Sequence, residues 1–324
     1  MNYCSQRFFR RVNIVTLRRL QKEISTSRIS WPIAAVLTLI FWFIAWLEDN
    51  VTFFPFVLVI ATGLLMMWIN HLFALIKVFS RMIASSYLAF TTALLLVPDI
   101  GGAQTKVVFV QFCLVSFLIL FFSCYQYRKA QGVILYAFMM LGVASLFFKQ
   151  LLLLVPILWC LSAYCMVTFS GKIWLSSIFG IGLPYLFVYT YYLCVGTPSA
   201  EQTLMHNWDF CRVFDFRAVP MCLKISFACS SLLTIVGFVH LMMEGHKDKV
   251  RTRMMYQIFI SLGFFAILMC FLQPLHIAEY IGIMLVSASA MVGHFFAMTD
   301  TKRTNYIFMA IVAATYLITI YNLI

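Results

Sequence analysis

The chain has 324 residues, of which 63% are hydrophobic, 17% aromatic and 10% charged, with a formal net charge of +12 and a mean hydropathy of +0.96. Soluble domains average about 25% charged residues, so this composition excludes an ordinary soluble enzyme. It also excludes a disordered chain, which has low hydrophobicity, and a disulfide-rich scaffold, because ten Cys in 324 residues is a low density.

Eleven apolar runs follow one another along the chain, each near the roughly 20 residues that a membrane-spanning helix requires. Their predicted bounds are 30–47, 54–76, 82–98, 106–123, 132–148, 150–168, 173–195, 221–243, 254–272, 277–297 and 305–323. The runs do not alternate every second residue, which excludes a closed barrel. The sequence therefore predicts an all-α, polytopic transmembrane helix bundle of about 11 spans, with ten or twelve left open. Residues 1–29 form a basic N-terminal segment, and residues 30–324 form a single transmembrane domain.

The charged residues predict the orientation of these spans. With the N-terminus inside, the inner segments hold 18 of the 23 basic residues and 4 of the 11 acidic ones, which gives +14 inside and −2 outside. Because Lys and Arg concentrate in cytoplasmic loops, the N-terminus is predicted inside and the C-terminus outside. The excess of basic residues thus indicates the orientation of the spans in the membrane and does not indicate nucleic-acid binding. Anionic lipid headgroups are the expected partner of these side chains.

Two further features of the apolar segments bear on function. Every Asp, Glu, Lys and Arg lies in a loop or near a span end, which disfavours ion-coupled transport through a carboxylate at mid-membrane. His71, His240 and His294 fall near inner span ends, where they are interpreted as helix-end residues. The segment Gly180–Tyr185 is expected to interrupt the seventh span at Pro184, which would either kink the helix or line a cavity.

The N-terminal stretch from Gln6 to Glu23 mixes apolar residues with five Arg, and two interpretations are open. It forms either an interfacial amphipathic helix or a flexible basic tail. A cleaved signal peptide is disfavoured, because the charged region is too long and no small-residue cleavage site follows the first span.

Polar residues on the predicted outer face form the candidate site. Glu48 and Asp49 follow the first span directly, where a carboxylate pair could act as a general base or hold a cation. Lys106 enters the fourth span, and the outer loop 197–220 contributes Trp208, Arg212 and Arg217. Arg offers a bidentate fork to phosphate, and Trp offers a surface for a sugar ring. The alternative is a short acidic loop and an interfacial aromatic belt without chemistry. No metal site and no cofactor is predicted, because no zinc-ligand spacing or phosphate loop occurs.

Hydrophobic motifs between about Asn70 and Val195 support a resemblance. They are the span end Leu118–Lys129 with its Tyr-Arg-Lys exit, the run Gly142–Phe148 leading into Leu151–Trp159, and Gly180–Tyr185. These motifs resemble a family of polytopic inner-membrane proteins of Bacteroidota that has no assigned activity. The resemblance implies a fold type and an envelope location, with no catalytic residues to carry over. Glu48-Asp49 is also similar to the acidic pair that follows the first span in membrane glycosyltransferases using polyprenyl-phosphate sugars, although their first outer loop is long and this one is short.

These observations predict an integral inner-membrane protein that is accessory to cell-envelope biogenesis and contacts an envelope protein complex. Glycosyl transfer from a lipid-linked glycan is the competing hypothesis, with Asp49 or Glu48 as base or cation ligand, Arg212 and Arg217 as phosphate clamp and Trp208 as sugar platform. A third hypothesis is a passive transporter or lipid flippase that uses the seventh span. Whether the protein is an enzyme stays open at this point.

Overall fold

The computed structural model of the chain describes most of the apolar segments. The described residues are 20–48, 53–77, 80–97, 103–127, 129–168, 170–195, 214, 216–217, 219–299 and 301–323. Within them the chain forms twelve α-helices and three short 3-10 helices, and no strand. The fold class predicted from composition, all-α, is confirmed for this part of the chain.

The helices follow one another with short connections. Their bounds are α1 Leu20–Thr26, α2 Ser30–Leu47, α3 Phe53–Phe73, α4 Met82–Leu95, α5 Ala103–Ser123, α6 Gln131–Phe147, α7 Val155–Tyr164, α8 Gly171–Val195, α9 Met221–Glu244, α10 Val250–Leu272, α11 Ile277–Met298 and α12 Lys302–Leu323. A 3-10 helix, Lys149–Leu154, runs directly into α7, so the two form one apolar segment of 16 residues.

Each of the eleven predicted runs overlaps one of the apolar helices α2 to α12, although the runs 82–98 and 150–168 extend past the ends of α4 and α7. Eight of these helices are long and apolar enough to cross a membrane, whereas α4, α6 and the segment Lys149–Tyr164 are shorter. The predicted run 54–76 extends three residues too far. The helix ends at Phe73, because Ala74 adopts a left-handed backbone conformation with φ 47°.

Helix α11 is the centre of the bundle. About 89% of its apolar stretch is buried, against 11% for α8 and 17% for α12, and it packs against α4, α5, α9 and α10. Small residues allow this close packing: a Cβ on Gly293 would lie 2.8 Å from the Cα of Ile83 in α4. Without a hydrophobic driving force between helices in lipid, such close approach is a main source of helix association.

A hydrogen-bonded layer ties three helices together in the interior. The hydroxyl of Tyr87 in α4 donates to Gln111 Oε1 in α5 at 2.8 Å, and Gln111 Nε2 donates to the carbonyl of Gly282 in α11 at 2.9 Å. All three groups are buried, so this polar network stabilises the packing of α4, α5 and α11 without offering reactive atoms to a ligand.

Helix α8 lies at the edge of the bundle and packs chiefly on α6. A Cβ on Gly180 would lie 2.5 Å from the carbonyl oxygen of Leu135, and one on Gly142 would lie 2.8 Å from that of Ile181. Helix α8 is continuous through Gly180–Tyr185 with Pro184 inside it, so the helix is not broken there, and the kink at Pro184 stays a prediction. Helices absorb a proline where neighbouring groups re-satisfy the backbone, and the close contact with α6 fixes this stretch.

The helices alternate in direction, so their connections gather at two ends. At one end lie residues 20–29, 74–77, 80–81, 124–127, 129–130, 165–168, 245–249 and 299, which we call the basic end. Hydrogen bonds join Arg81 to Arg28, Gln126 to Met166 and Gln21 to Thr299. The guanidinium of Arg251 lies 5.4 Å from the centre of the Phe73 ring and 5.9 Å from that of Tyr125.

The other end, which we call the opposite end, is held by a separate set of contacts. Gln150 Nε2 lies 2.9 Å from His276 Nε2, and the backbone N–H of Phe214 donates to the carbonyl of Phe271 at 3.1 Å. Asn322 near the end of α12 donates to the carbonyl of Ala93 near the end of α4 at 2.9 Å. The segments predicted as inner therefore share one end of the bundle, and those predicted as outer that the structure describes share the other.

Part of the basic N-terminal segment packs on the bundle. Gln21 in α1 is buried, and its Nε2 donates to the carbonyl of Phe296 at 2.9 Å and to both oxygens of Thr299 at 3.1 and 2.9 Å. The flexible-tail interpretation is therefore wrong for residues 20–26, which form a helix fixed to the end of α11. Residues 1–19 lie outside the described part of the chain.

Candidate functional site: a buried polar chain and a groove at the basic end

The connection between α9 and α10 positions an acidic side chain inside the basic end. Helix α9 ends at Glu244, a single 3-10 turn follows over Gly245–Lys247, and Asp248 then adopts an extended backbone conformation before α10 begins at Val250. The backbone N–H of Asp248 donates to the Gly245 carbonyl at 3.1 Å, which closes the turn. The Asp248 side chain is only 3% exposed, so this carboxylate lies among the helices and not in the loop surface.

Four side chains form a continuous polar chain from the surface into the bundle. Lys77 Nζ lies 3.1 Å from Asp248 Oδ1, and His294 Nε2 of α11 lies 3.1 Å from Asp248 Oδ2. His294 Nδ1 in turn lies 3.2 Å from His240 Nε2 of α9. Lys77 is 41% exposed, whereas the two imidazoles are buried. The polar chain therefore runs from the solvent-accessible ammonium of Lys77 to the imidazole of His240 near the end of α9.

The contact between His294 and Asp248 is electrostatic and poorly aligned. Neither His294 Nε2 nor Asp248 Oδ2 makes a hydrogen bond of acceptable geometry, although the two atoms are within 3.1 Å. Tyr256 of α10 packs edge-on against His294 at 4.9 Å between ring centres, and its hydroxyl is likewise buried without a hydrogen-bond partner. Buried polar atoms are normally satisfied, so three unsatisfied ones at this place distinguish it from the structural network around Gln111.

The protonation of Asp248 follows from its neighbours. Burial alone would raise the pKa of its carboxyl, but the contacts with His294 and Lys77 outweigh this effect and lower the pKa below its ordinary value. The carboxylate is therefore ionised at neutral pH and compensates the charge of Lys77. A buried ionisable group at the end of an apolar bundle is by default a candidate functional group.

A groove of about 680 Å³ opens beside the polar chain, and Lys77 belongs to both the groove and the polar chain. Met67, Trp68 and His71 line it from the last turns of α3, and Lys77 and Arg81 line it from the connection to α4. Pockets of about 300–1,000 Å³ hold small-molecule ligands. We call this cavity the basic-end groove.

The side chain of Asn70 fixes the frame of the groove. Its Nδ2 donates to the carbonyl of Ser80 at 2.8 Å, and its Oδ1 accepts from the backbone N–H of Ile76 at 3.1 Å. These two bonds connect α3 to both ends of the turn that follows it. Arg81 is held in addition by a hydrogen bond from its Nη1 to the Arg28 carbonyl at 2.8 Å. The cationic wall of the groove is thus preorganised by the fold.

Of the residues of the predicted outer-face site, the structure describes Glu48, Lys106 and Arg217. Glu48 caps the end of α2, Lys106 lies in the first turn of α5 and Arg217 precedes α9, and all three are exposed at the opposite end. Asp49, Trp208 and Arg212 lie outside the described residues, as does most of the loop 197–220. Their proposed roles as base, sugar platform and phosphate clamp stay predictions.

The polar chain at the basic end was missed in the sequence analysis, although a signal for it exists. His240 and His294 each lie in the last turns of a predicted inward-running span, and Asp248 lies in an inner loop, so topology places all three at one membrane face. Taken singly, each His has the position of an ordinary helix-end residue. Their contact depends on α9 packing beside α11, which hydropathy does not specify.

The described residues contain no group of three or more His, Cys, Asp or Glu side chains arranged to hold a metal ion. Comparison of the chain with protein-family models, with curated proteins and with solved structures finds no match.

Proposed function

We propose that the chain is an eleven-span protein of the bacterial inner membrane, with the N-terminus inside and the C-terminus outside, that serves as a non-catalytic accessory of cell-envelope biogenesis. The orientation is supported by the gathering of basic residues at one end of the bundle, since Lys and Arg favour cytoplasmic loops. This orientation requires three shorter elements to cross the membrane as well: α4, α6 and the segment Lys149–Tyr164. If one of them did not cross, the loops before and after it would lie on the same side of the membrane.

The observation that carries the accessory role is the use of the interior polar groups for helix packing. Besides the Tyr87–Gln111–Gly282 layer, Asn322 Nδ2 of α12 donates to the Ala93 carbonyl of α4 at 2.9 Å. The Ser86 hydroxyl of α4 shares its proton between the Met82 carbonyl of the same helix at 2.6 Å and the Ser289 carbonyl of α11 at 3.0 Å. Such bonds stabilise a particular helix arrangement. Apart from the polar chain at the basic end, this use of the interior supports a scaffold whose working surfaces are its ends and outer helix faces.

One experiment separates the accessory role from glycosyl transfer. Lipid-linked sugars are quantified by mass spectrometry in cells with the gene, without it, and with Glu48→Ala and Asp49→Ala combined. The accessory role predicts that the double variant behaves as the wild type, whether or not the deletion changes the profile. A precursor that accumulates in both the deletion and the double variant would contradict it and favour catalysis at the outer face. Glu279→Ala, which removes an acidic side chain at the same end, is the matched control.

Orientation is tested by cysteine labelling in intact cells. In a background with the ten native Cys replaced by Ala, Thr301→Cys at the basic end is expected to resist a membrane-impermeant maleimide until the cells are opened. Leu275→Cys, between α10 and α11 at the opposite end, is the control and is expected to label from outside. Labelling of Thr301→Cys alone in intact cells would reverse the orientation.

A further inference from the structure

The basic-end groove combines cationic donors with an apolar wall. Lys77 and Arg81 supply two permanent charges, and His71 adds an imidazole on the same rim. Met67 and Trp68 of α3 add apolar lining; Met67 packs on the core, and Trp68 is exposed. An anionic group attached to an apolar body would satisfy both walls at once, whereas a small hydrophilic anion would use only one.

Lys77 has a donor to spare for such an anion. An ammonium has three donors. Within the described structure, Lys77 directs one to Asp248 Oδ1 and one to the carbonyl oxygen of Lys247. Its side chain remains 41% exposed, so the third donor is accessible from the groove. Asp248 is thus a positioning residue: it is buried, and it holds the ammonium at the rim without occupying the cavity.

An exposed apolar track leads away from the groove along α3. Leu64, Trp68 and Leu72 are 42%, 51% and 45% exposed. Their spacing of four residues places them on one face of the helix, and this face continues from the groove into the apolar part of the bundle surface. A headgroup in the groove would therefore leave its chain against Leu64 and Trp68. This continuity favours a lipid over a soluble phosphate compound.

We propose that the basic-end groove binds the phosphate of an anionic lipid from the adjoining leaflet, with Lys77 and Arg81 as phosphate ligands and Trp68 against the chain. The hydrogen bonds of Asn70 with the Ile76 N–H and the Ser80 carbonyl fix the backbone next to each of these two cations. Lys offers phosphate a point charge and hydrogen-bond donors, and Arg offers a planar fork. The proposal is independent of the accessory role, because it rests on the groove alone.

The test is native mass spectrometry of the purified full chain in detergent, titrated with phosphatidylglycerol as the anionic probe and phosphatidylcholine as the zwitterionic one. We expect the wild type to retain phosphatidylglycerol preferentially. Lys77→Met combined with Arg81→Gln is expected to weaken that binding at least about tenfold, because charge-assisted contacts to phosphate are lost. Lys129→Gln combined with Lys172→Gln removes two exposed charges outside the groove and is expected to leave binding within about twofold.

Equal weakening in the two double variants, or none in either, would overturn the proposal, because binding would then reflect overall charge. Inorganic phosphate is the soluble arm: displacement of phosphatidylglycerol by phosphate at equal concentration would show a soluble-anion site and overturn the assignment to lipid. Arg81→Gln alone leaves the Lys77–Asp248 pair intact. This single variant therefore tests lipid binding in the groove even if the double variant does not fold. We expect it to weaken binding about threefold or more, and unchanged binding would contradict the proposal.

Discussion

The contact between α6 and α8 makes a sharp prediction about two glycines that lie two residues apart. A Cβ at position 180 would lie 2.5 Å from the Leu135 carbonyl oxygen and 3.1 Å from the Phe138 Cβ, whereas a Cβ at position 182 meets nothing within 4 Å. An ordinary carbon–oxygen contact is about 3.3 Å, so Gly180→Ala requires a separation of roughly 0.8 Å between two helix backbones. Backbone atoms cannot rotate away as a side chain can.

The expected cost follows from that overlap. Inserting a methyl group into a well-packed site costs about 1–3 kcal/mol. Gly182→Ala removes the same glycine from the same helix without an overlap, and the helix propensity of Ala stabilises it by up to about 1 kcal/mol. Because Gly180→Ala gains the same helix propensity, this gain cancels, and the two variants should differ by the overlap cost alone, about 1–3 kcal/mol in stability, with Gly180→Ala the less stable.

The assay is denaturant titration of the purified protein in detergent. The free energies of unfolding of both variants and the wild type are compared under one condition. Equal stability of Gly180→Ala and Gly182→Ala would refute the close approach of α6 and α8. The result also bears on the flippase hypothesis, which expects function to be most sensitive to bulky substitutions at Gly180 or Gly182. Of these two glycines, only Gly180 lies against another helix. Loss of function in a Gly180 variant alone would therefore be explained by disturbed packing of α6 and α8, without a role in transport.

Three further perturbations test the interior and the basic end. Gln111→Leu should destabilise the protein by about 1–2 kcal/mol in denaturant titration, and adding Tyr87→Phe should cost less than the sum of the single changes, because the two share a hydrogen bond. The lowered pKa of Asp248 means that its stabilising contribution is complete above the pKa of about 3.9 of an unfolded carboxyl and is lost as the pH falls through the lower folded value. The melting temperature should therefore fall in acid, and it should fall less in Asp248→Asn. Gln21→Ala should detach α1 from Thr299, and faster tryptic cleavage after Lys22 would report this; unchanged cleavage would contradict the docking of α1.

The positions of the helices could be predicted because a backbone in lipid must satisfy its own hydrogen bonds, which favours helices over irregular structure. An apolar run without internal charge must form a helix, and the boundaries at Phe148 and Gln273 followed from the polar and proline residues there. The end of α3 could not be predicted from hydropathy, since residues 74–76 are as apolar as the helix before them. Asn70 fixes that end by bonding to Ile76 and Ser80, and hydropathy does not register such a contact.

The candidate site was less predictable, for a related reason. His240, Asp248 and His294 are separated by up to 54 residues, and their contact arises only because α9 and α11 lie side by side. Helix order in a bundle depends on small residues and interhelical hydrogen bonds, which leave little trace in a hydropathy profile. The outer-face residues attracted attention because they are charged and close in sequence, which says nothing about distances across the bundle.

The burial of α11 has a consequence for the order in which the protein is made. This helix is the tenth of the eleven apolar segments to leave the ribosome, yet α4 and α5, which are the third and fourth, pack directly against it. Until α11 arrives, Tyr87 and Gln111 can bond to each other, but Gln111 Nε2 lacks the Gly282 carbonyl. The early helices must therefore wait in the membrane with polar groups facing lipid or a helper protein. A chain truncated before residue 277 would keep those groups exposed and should be a substrate for membrane proteases.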